Sequence, residues 1–204
     1  IVECVPNFSE GRDQRTFDAL AEAITSVEGV RLLGLEPDPS YNRVVVTFVG
    51  EPGPVAEAAF RSARVALERI DMTKHHGGHP RFGALDVCPF VPVRGVTLAD
   101  CAELSKGFGK RVGEELGLPV YLYEMAASRP ERKSLSKVRA GEYEALPEKL
   151  RRPEHAPDFG PAEFVPRFGA MATGARFFLV AYNVDVETMD LEAVNEVAYA
   201  VREA

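Results

Sequence analysis

Apolar positions along this chain keep changing period, from the two-residue alternation of a strand to the three-to-four-residue recurrence of a helix and back. Ile1 to Pro6 reads as a short strand that Pro6 ends, and Asn7-Phe-Ser-Glu-Gly11 as a turn just past its carboxyl end. Ser9 or Asp13 caps the next helix, which sets Phe17, Leu20, Ala21 and Ile24 on one face and closes at Gly29. Val30 to Leu35 is a second strand, and Asp38-Pro-Ser-Tyr-Asn42 is dense in turn formers. Arg43 begins a third strand, Val44 to Val49, whose β-branched run expects a buried centre. Pro54 stands at the start of a second helix, where its missing N–H costs nothing. Ala58, Ala59, Ala63, Ala66 and Leu67 give that helix a small-residue face for close packing as far as Ile70.

Ala84 to Val93 is a strand whose Pro89 and Pro92 imply an edge or a bulge. Thr97-Leu-Ala-Asp100 starts a helix running to Leu116, with Gly117 as its cap, and Pro119 to Met125 is a further strand. Residues 128–169 carry weak periodicity, with one short helix from Glu142 to Leu150 and a long irregular passage from Arg152 to Gly169. Phe159, Phe164, Pro166 and Phe168 argue that this passage is ordered. Arg176 to Val184 reads as a strand and Asp190 to Arg202 as a helix.

The order β-α-β-β-α-β-α-β makes this an α/β protein: a mixed β-sheet sandwich with helices on the outer face and a split-βαβ-like opening. A lone final βα pair cannot bury its own face. It docks on the first domain, belongs to a longer chain or packs on a partner.

Composition narrows the function classes. The 204 residues suffice for a substantial core, and 46% hydrophobic with 27% charged residues is an ordinary globular balance. A net charge of -7 with no basic cluster disfavours a nucleic-acid partner. No apolar run approaches the roughly 20 residues of a membrane span, so no membrane partner is expected. Cys4, Cys88 and Cys101 are odd in number, widely spaced and set among apolar residues, which reads as core thiols in a reducing compartment. The opening has no basic region or small-residue cleavage site, and the expected setting is the cytoplasm.

The candidate chemistry concentrates in Asp71-Met-Thr-Lys-His-His-Gly-Gly-His-Pro-Arg-Phe-Gly-Ala-Leu-Asp86, which holds three of the four histidines. His75 and His79 stand four apart, a metal-binding spacing only on a helix, and Gly77-Gly78 argues against one. No metal is therefore expected. A general acid/base is the alternative, and His79 is favoured because Pro80 holds its backbone extended. Asp86 is placed to orient its ring. Cys88, flanked by Val87, Pro89 and Phe90, reads as a core thiol rather than a nucleophile. Arg43 and Arg81 follow turns and precede apolar strands, which suits either carboxylate clamps in a cleft or solvated surface. Glu3 and Asp38 are candidates for holding a cationic group. Gly160 and Gly169 bracket a Pro- and Phe-rich stretch that offers walls to a flat ligand, or serves as a plain linker.

Several stretches together resemble the formiminotransferase module of glutamate formiminotransferases and formiminotransferase-cyclodeaminase. They are Val2-Glu-Cys-Val-Pro-Asn-Phe-Ser-Glu-Gly11, Asn42-Arg43, His79-Pro-Arg-Phe-Gly-Ala-Leu-Asp-Val-Cys-Pro-Phe90, Arg139-Ala-Gly-Glu-Tyr-Glu-Ala-Leu-Pro-Glu-Lys149, Pro157-Asp-Phe-Gly-Pro161 and Phe164-Val-Pro166. The resemblance implies transfer of a formimino group from N-formiminoglutamate to N5 of tetrahydrofolate, the co-substrate. It puts the catalytic histidine at His79. It puts the folate-binding segment on Gly160-Pro161-Ala162-Glu163-Phe164-Val165-Pro166-Arg167-Phe168-Gly169. It also implies two α/β subdomains whose sheets face each other across a folate tunnel, and a homodimer. Residues 1–173 would be the N-terminal subdomain and 174–204 the beginning of the C-terminal one.

Under that resemblance the residue chemistry assigns Arg43 and Arg81 to the substrate carboxylates and Asp38 to the amidine-like centre. Two other classes stand beside it: a folate- or metabolite-binding module without turnover, and a metal-dependent hydrolase built on the histidine loop.

Overall fold

The computed structural model describes residues 1–179 and 186–203. Among these residues, seven strands form one mixed sheet. Two short strands, β1 (Val2–Cys4) and β2 (Asn7–Phe8), make a single line broken at Val5 and Pro6. That line lies between β4 (Arg43–Gly50) and β5 (Leu85–Pro92), antiparallel to both. β3 (Arg31–Asp38) flanks β4 in a hairpin. Beyond β5 the sheet continues in parallel through β7 (Met171–Ala175) to β6 (Val120–Glu124). Helices α1 (Gln14–Thr25) and α2 (Pro52–Arg69) connect β2 to β3 and β4 to β5. Each therefore crosses over an inserted strand, which gives two interlocked split βαβ units. Helix α3 (Leu98–Glu115) then leads to β6.

Local chemistry sets these boundaries. The Asp13 side chain accepts the Arg15 N–H and caps α1. Ser9 is no cap; its buried hydroxyl donates to the Gly83 carbonyl at 2.7 Å. Thr97 and Asp100 bond reciprocally in a capping box at the start of α3. The alternating pattern of β4 sends Val44, Val46 and Phe48 into the core, against Leu20 and Ile24 of α1 and the alanine face of α2. Phe8, Phe48 and Phe90 are fully buried there, each contributing on the order of 2–3 kcal/mol by transfer from water. Cys4, Cys88 and Cys101 are buried thiols of the same core, with Cys4 Sγ 3.5 Å from Cys88 Sγ.

The opposite face is covered over only half its width. Residues 125–170 fold back across β5, β7 and β6 with two short helices, α4 (Leu135–Val138) and α5 (Glu142–Lys149). Val138, Leu146 and Leu150 pack there on Tyr121, Tyr123 and Val87. Buried Arg132 pairs with Asp158, which also accepts the Leu122 N–H, and so clamps the excursion to β6. Over β4 and β1/β2 the same face lacks this cover, and Arg43, Val45 and Thr47 stay partly exposed.

Three expectations need correction. Asn7 and Phe8 are strand rather than turn, so Pro6 interrupts the first strand instead of ending it. β5 is central rather than an edge; Pro89 accepts from the Val5 N–H at 3.2 Å, so its side without a donor faces the break between β1 and β2, and the register slips just beyond, between Asn7 and Phe8. The strand expected at Arg176 to Val184 is not formed by its described residues. Residues 176–179 are not strand, 180–184 lie outside the described residues, and the pairing segment is β7, just upstream. The final helix, α6 (Leu191–Glu203), is present as expected, capped by Asp190; of the placements left open for it, docking on the sheet is not seen, since Leu191, Val197 and Tyr199 are exposed.

Candidate active site

The histidine loop is held by Asn42, at the tip of the β3–β4 hairpin. Asn42 has φ 49°, a left-handed conformation that asparagine tolerates better than most residues. Its side chain accepts the Gly11 N–H at 2.9 Å and donates to the His76 carbonyl at 3.0 Å, and its own carbonyl meets His75 Nε2 at 2.8 Å. Gly77 is packed so closely that a Cβ there would lie 2.2 Å from the Tyr41 carbonyl oxygen. This tightness fixes the loop that carries the imidazoles.

The three histidines part company. His75 is buried; Arg81 Nε donates to its Nδ1 at 3.3 Å, so its Nε2–H donates to Asn42, and burial pushes its pKa down. His76 is exposed. His79 is half-buried and faces the uncovered half of the sheet, with Nε2 2.7 Å from Arg43 Nη1. Burial, then the charges of Arg43 and Arg139, push His79 down to about 4, against the opposing pull of the Pro80 carbonyl and Glu142. The ring is neutral at pH 7.

The cleft before His79 has a volume of about 470 Å³. Its polar lining is Asn7, Glu36, Arg43, Arg139 and Arg176, and its apolar lining includes Val45, Val87 and Tyr123. Arg139, which follows α4, is anchored by Asp86 at 2.6 Å and the Pro80 carbonyl at 3.0 Å. The Nε atoms of Arg43 and Arg139 are buried without a hydrogen-bond partner among the described residues. Three guanidinium groups give this cleft a basic lining, whose chemistry suits an anion.

Of the residues singled out from the sequence, the structure brings together His79 and Arg43. Arg81 is turned away: its side chain is only 10% exposed and bonds Glu142 at 3.1 Å and Glu144 at 2.7 Å, so it braces the loop from behind. Asp38 shares the face of Arg43, but its Oδ1 accepts the Ser40 and Tyr41 N–H groups and closes the hairpin turn. Asp86 does not touch His79; it accepts from Arg139 and the Phe82 N–H. Glu3 faces the open side from β1, with its carboxyl raised by burial against the pull of Arg176.

No residue of Gly160 to Gly169 lines the cleft. A Cβ on Gly160 would lie 2.0 Å from the Leu118 carbonyl oxygen, and Phe168 is in the core. Farther along, the Arg167 carbonyl accepts the Met72 N–H and the Pro166 carbonyl accepts the Tyr143 hydroxyl. The segment is a strap beneath both ends of the histidine loop. Asn7, Glu36, Arg139 and Arg176 were not identifiable as site residues from spacing; Asn7 and Arg139 lie in the resembling stretches without an evident role there. Among the described residues no cluster of three ligand-type side chains is placed to hold a metal, and no helix is long and apolar enough to cross a membrane.

A split-βαβ sheet presenting a half-buried histidine among arginines defines an α/β domain with a basic, half-open cleft. The chain belongs to the formiminotransferase family: the family described as "Formiminotransferase domain, N-terminal subdomain" matches residues 1–176. It is 54% identical to a formimidoyltransferase-cyclodeaminase of Dictyostelium discoideum, over 100% of this chain and 38% of that protein. It is also 54% identical to one of Sus scrofa, over 100% of this chain and 37% of that protein. To a glutamate formimidoyltransferase of Streptococcus pyogenes serotype M1 it is 48% identical, over 99% of this chain and 68% of that protein. The chain thus spans less than two-fifths of the length of the first two relatives.

Proposed function

We propose that this domain carries the catalytic centre of a glutamate formimidoyltransferase, with N-formiminoglutamate and tetrahydrofolate as substrates and His79 as the acid/base. The observation that carries the reading is the neutral His79 imidazole set among Arg43, Arg139 and Arg176 on the open half-sheet. The donor brings two carboxylates, which match several separately placed guanidinium groups. Folate brings a flat ring, for which Val45, Val87 and Tyr123 offer apolar walls. The names of the relatives support the same reaction.

N5 of tetrahydrofolate attacks the formimino carbon, whose π electrons move to the imino nitrogen, and a tetrahedral intermediate forms. His79 takes the proton from N5 and delivers it to the glutamate nitrogen, whose bond to carbon breaks as the C=N bond re-forms. The products are 5-formiminotetrahydrofolate and glutamate. Arg43 and Arg139 hold the donor's carboxylates; Arg81 supports the loop instead. Glu36, on the cleft rim, takes the role first given to Asp38 in stabilising the amidine-like centre. The strap Gly160 to Gly169 contributes to folate binding through the loop it supports. The open half-sheet is the face that a second subdomain, beginning near residue 174, covers.

The test is glutamate release from N-formiminoglutamate plus tetrahydrofolate in the presence of a chelator, with His79→Ala in parallel. Folate-dependent turnover that survives the chelator and falls by about 10²–10⁴-fold in the variant is the expected result. Turnover undiminished in His79→Ala would remove the histidine from the mechanism, and folate binding without turnover would favour a binding module.

A further inference from the structure

We infer that Arg43 gates His79: with no anion in the cleft its guanidinium holds the imidazole lone pair, and a substrate carboxylate draws it away and frees the base. The inference rests on the assignment of His79 as the acid/base and adds a control to it.

The geometry of the pair supports this order of events. Arginine has donors only, so the 2.7 Å contact between Arg43 Nη1 and His79 Nε2 makes Nε2 the acceptor. The lone pair that would take the folate proton is therefore already occupied. Tyr41 flanks both groups, its ring edge-on to the imidazole at 6.2 Å and 5.9 Å from the Arg43 guanidinium carbon.

Arg43, unlike the other two arginines around the histidine loop, is also free to leave. Arg81 is fixed by Glu142 and Glu144, and Arg139 by Asp86 and the Pro80 carbonyl. Arg43 has no carboxylate within 4.0 Å among the described residues, only a long contact of 3.4 Å to Asn7 Oδ1 beside the histidine. Its Nε is buried and unsatisfied, a condition that costs free energy until an acceptor arrives. A carboxylate offers that acceptor together with a counter-charge, which the neutral imidazole cannot.

The charged groups acting on His79 are Arg43 from β4, Arg139 after α4 and Glu142 from α5, with the Pro80 carbonyl on its own loop. Glu36 from β3 and Arg176 after β7 line the same cleft. A carboxylate on Arg43 neutralises the nearer cation and leaves Arg139 and Glu142 in place. The imidazole then becomes both available and more basic, at the moment the substrate is seated.

The test is a pH titration of the His79 ring by NMR on ¹⁵N-histidine-labelled protein, with and without L-glutamate, and on Arg43→Ala. In the wild type glutamate should raise the His79 midpoint by about one pH unit or more. In Arg43→Ala the midpoint should already be raised without ligand, and glutamate should move it little. A variant that titrates like the wild type, or a wild-type midpoint that glutamate leaves unchanged, overturns the gate; the second result needs no variant to fold. The transfer assay separates the two ideas. Turnover with an unmoved midpoint sinks the gate alone, whereas a moved midpoint without turnover sinks the transferase reading alone.

Discussion

Asp86 and Arg139 meet at 2.6 Å behind His79, and this pair, rather than an Asp–His contact, anchors the fixed cation of the cleft. Burial pushes the Asp86 carboxyl up to about 6, with Arg139 opposing. An unfolded aspartate titrates near 4. Between those values the folded protein keeps a proton that the unfolded chain releases, so stability from this group is full below about pH 4 and is lost as pH rises towards 6. The stability of the wild type relative to Asp86→Asn should fall by on the order of 2–3 kcal/mol across that window. Urea unfolding of both proteins at several pH values measures it, and a constant difference would contradict the buried-carboxyl account.

Arg43 and Arg81 should separate in kinetics. Arg43→Ala should raise the KM for N-formiminoglutamate by about 10–100-fold, the loss of one charge-assisted hydrogen bond of roughly 1.5–3 kcal/mol. Arg81→Ala should instead lower the unfolding free energy, by about 1–2 kcal/mol because its glutamate partners are partly exposed. Steady-state kinetics beside a thermal melt distinguishes the two. An unchanged KM in Arg43→Ala would remove it from the carboxylate site.

The acid limb of activity carries its own signature. The kcat/KM profile reports the free enzyme, where His79 is pushed down to about 4, so activity should fall only as pH drops through that region. The limb in kcat reports the loaded enzyme and should lie at higher pH, because the carboxylate has neutralised Arg43. Coincident limbs would mean that loading leaves the imidazole as it was.

Gly77→Ala should cost activity without unfolding the domain. The added Cβ meets the Tyr41 carbonyl oxygen at 2.2 Å, so the loop must lift from the hairpin, while the core below is untouched. Circular dichroism should be unchanged and turnover reduced at least about tenfold, as reacting groups are misplaced. Wild-type turnover would show that the loop tolerates displacement.

The elements legible in the sequence are those whose local chemistry agrees with their setting. The Val44 to Val49 run, the Thr97–Asp100 cap and the alanine face of α2 each specify their element. β7 is the opposite case. Met171-Ala-Thr-Gly-Ala175 has little strand propensity and owes its conformation to the parallel partners on either side, whereas the apolar Phe177, Phe178 and Leu179 just after it suggest a strand that the described residues do not form. The site divides in the same way. His79 is visible from its loop and Arg43 from its turn, but Arg81 is claimed by acids 61 and 63 residues downstream, a pairing no spacing rule reveals. Arg139 stands 53 residues from Asp86 and is placed by the same kind of tertiary pairing.

β7 enters the sheet between two strands made before it, β5 and β6, and among the described residues it is the one ladder partner of β6. During synthesis β6 must therefore wait with its inner edge bare until residues 171–175 clear the ribosome. A nascent chain halted after α5 would hold its imidazole loop on the β3–β4 hairpin but without the strap that supports both its ends. The strand that closes the sheet is thus short, weakly patterned and the last of the seven to be made.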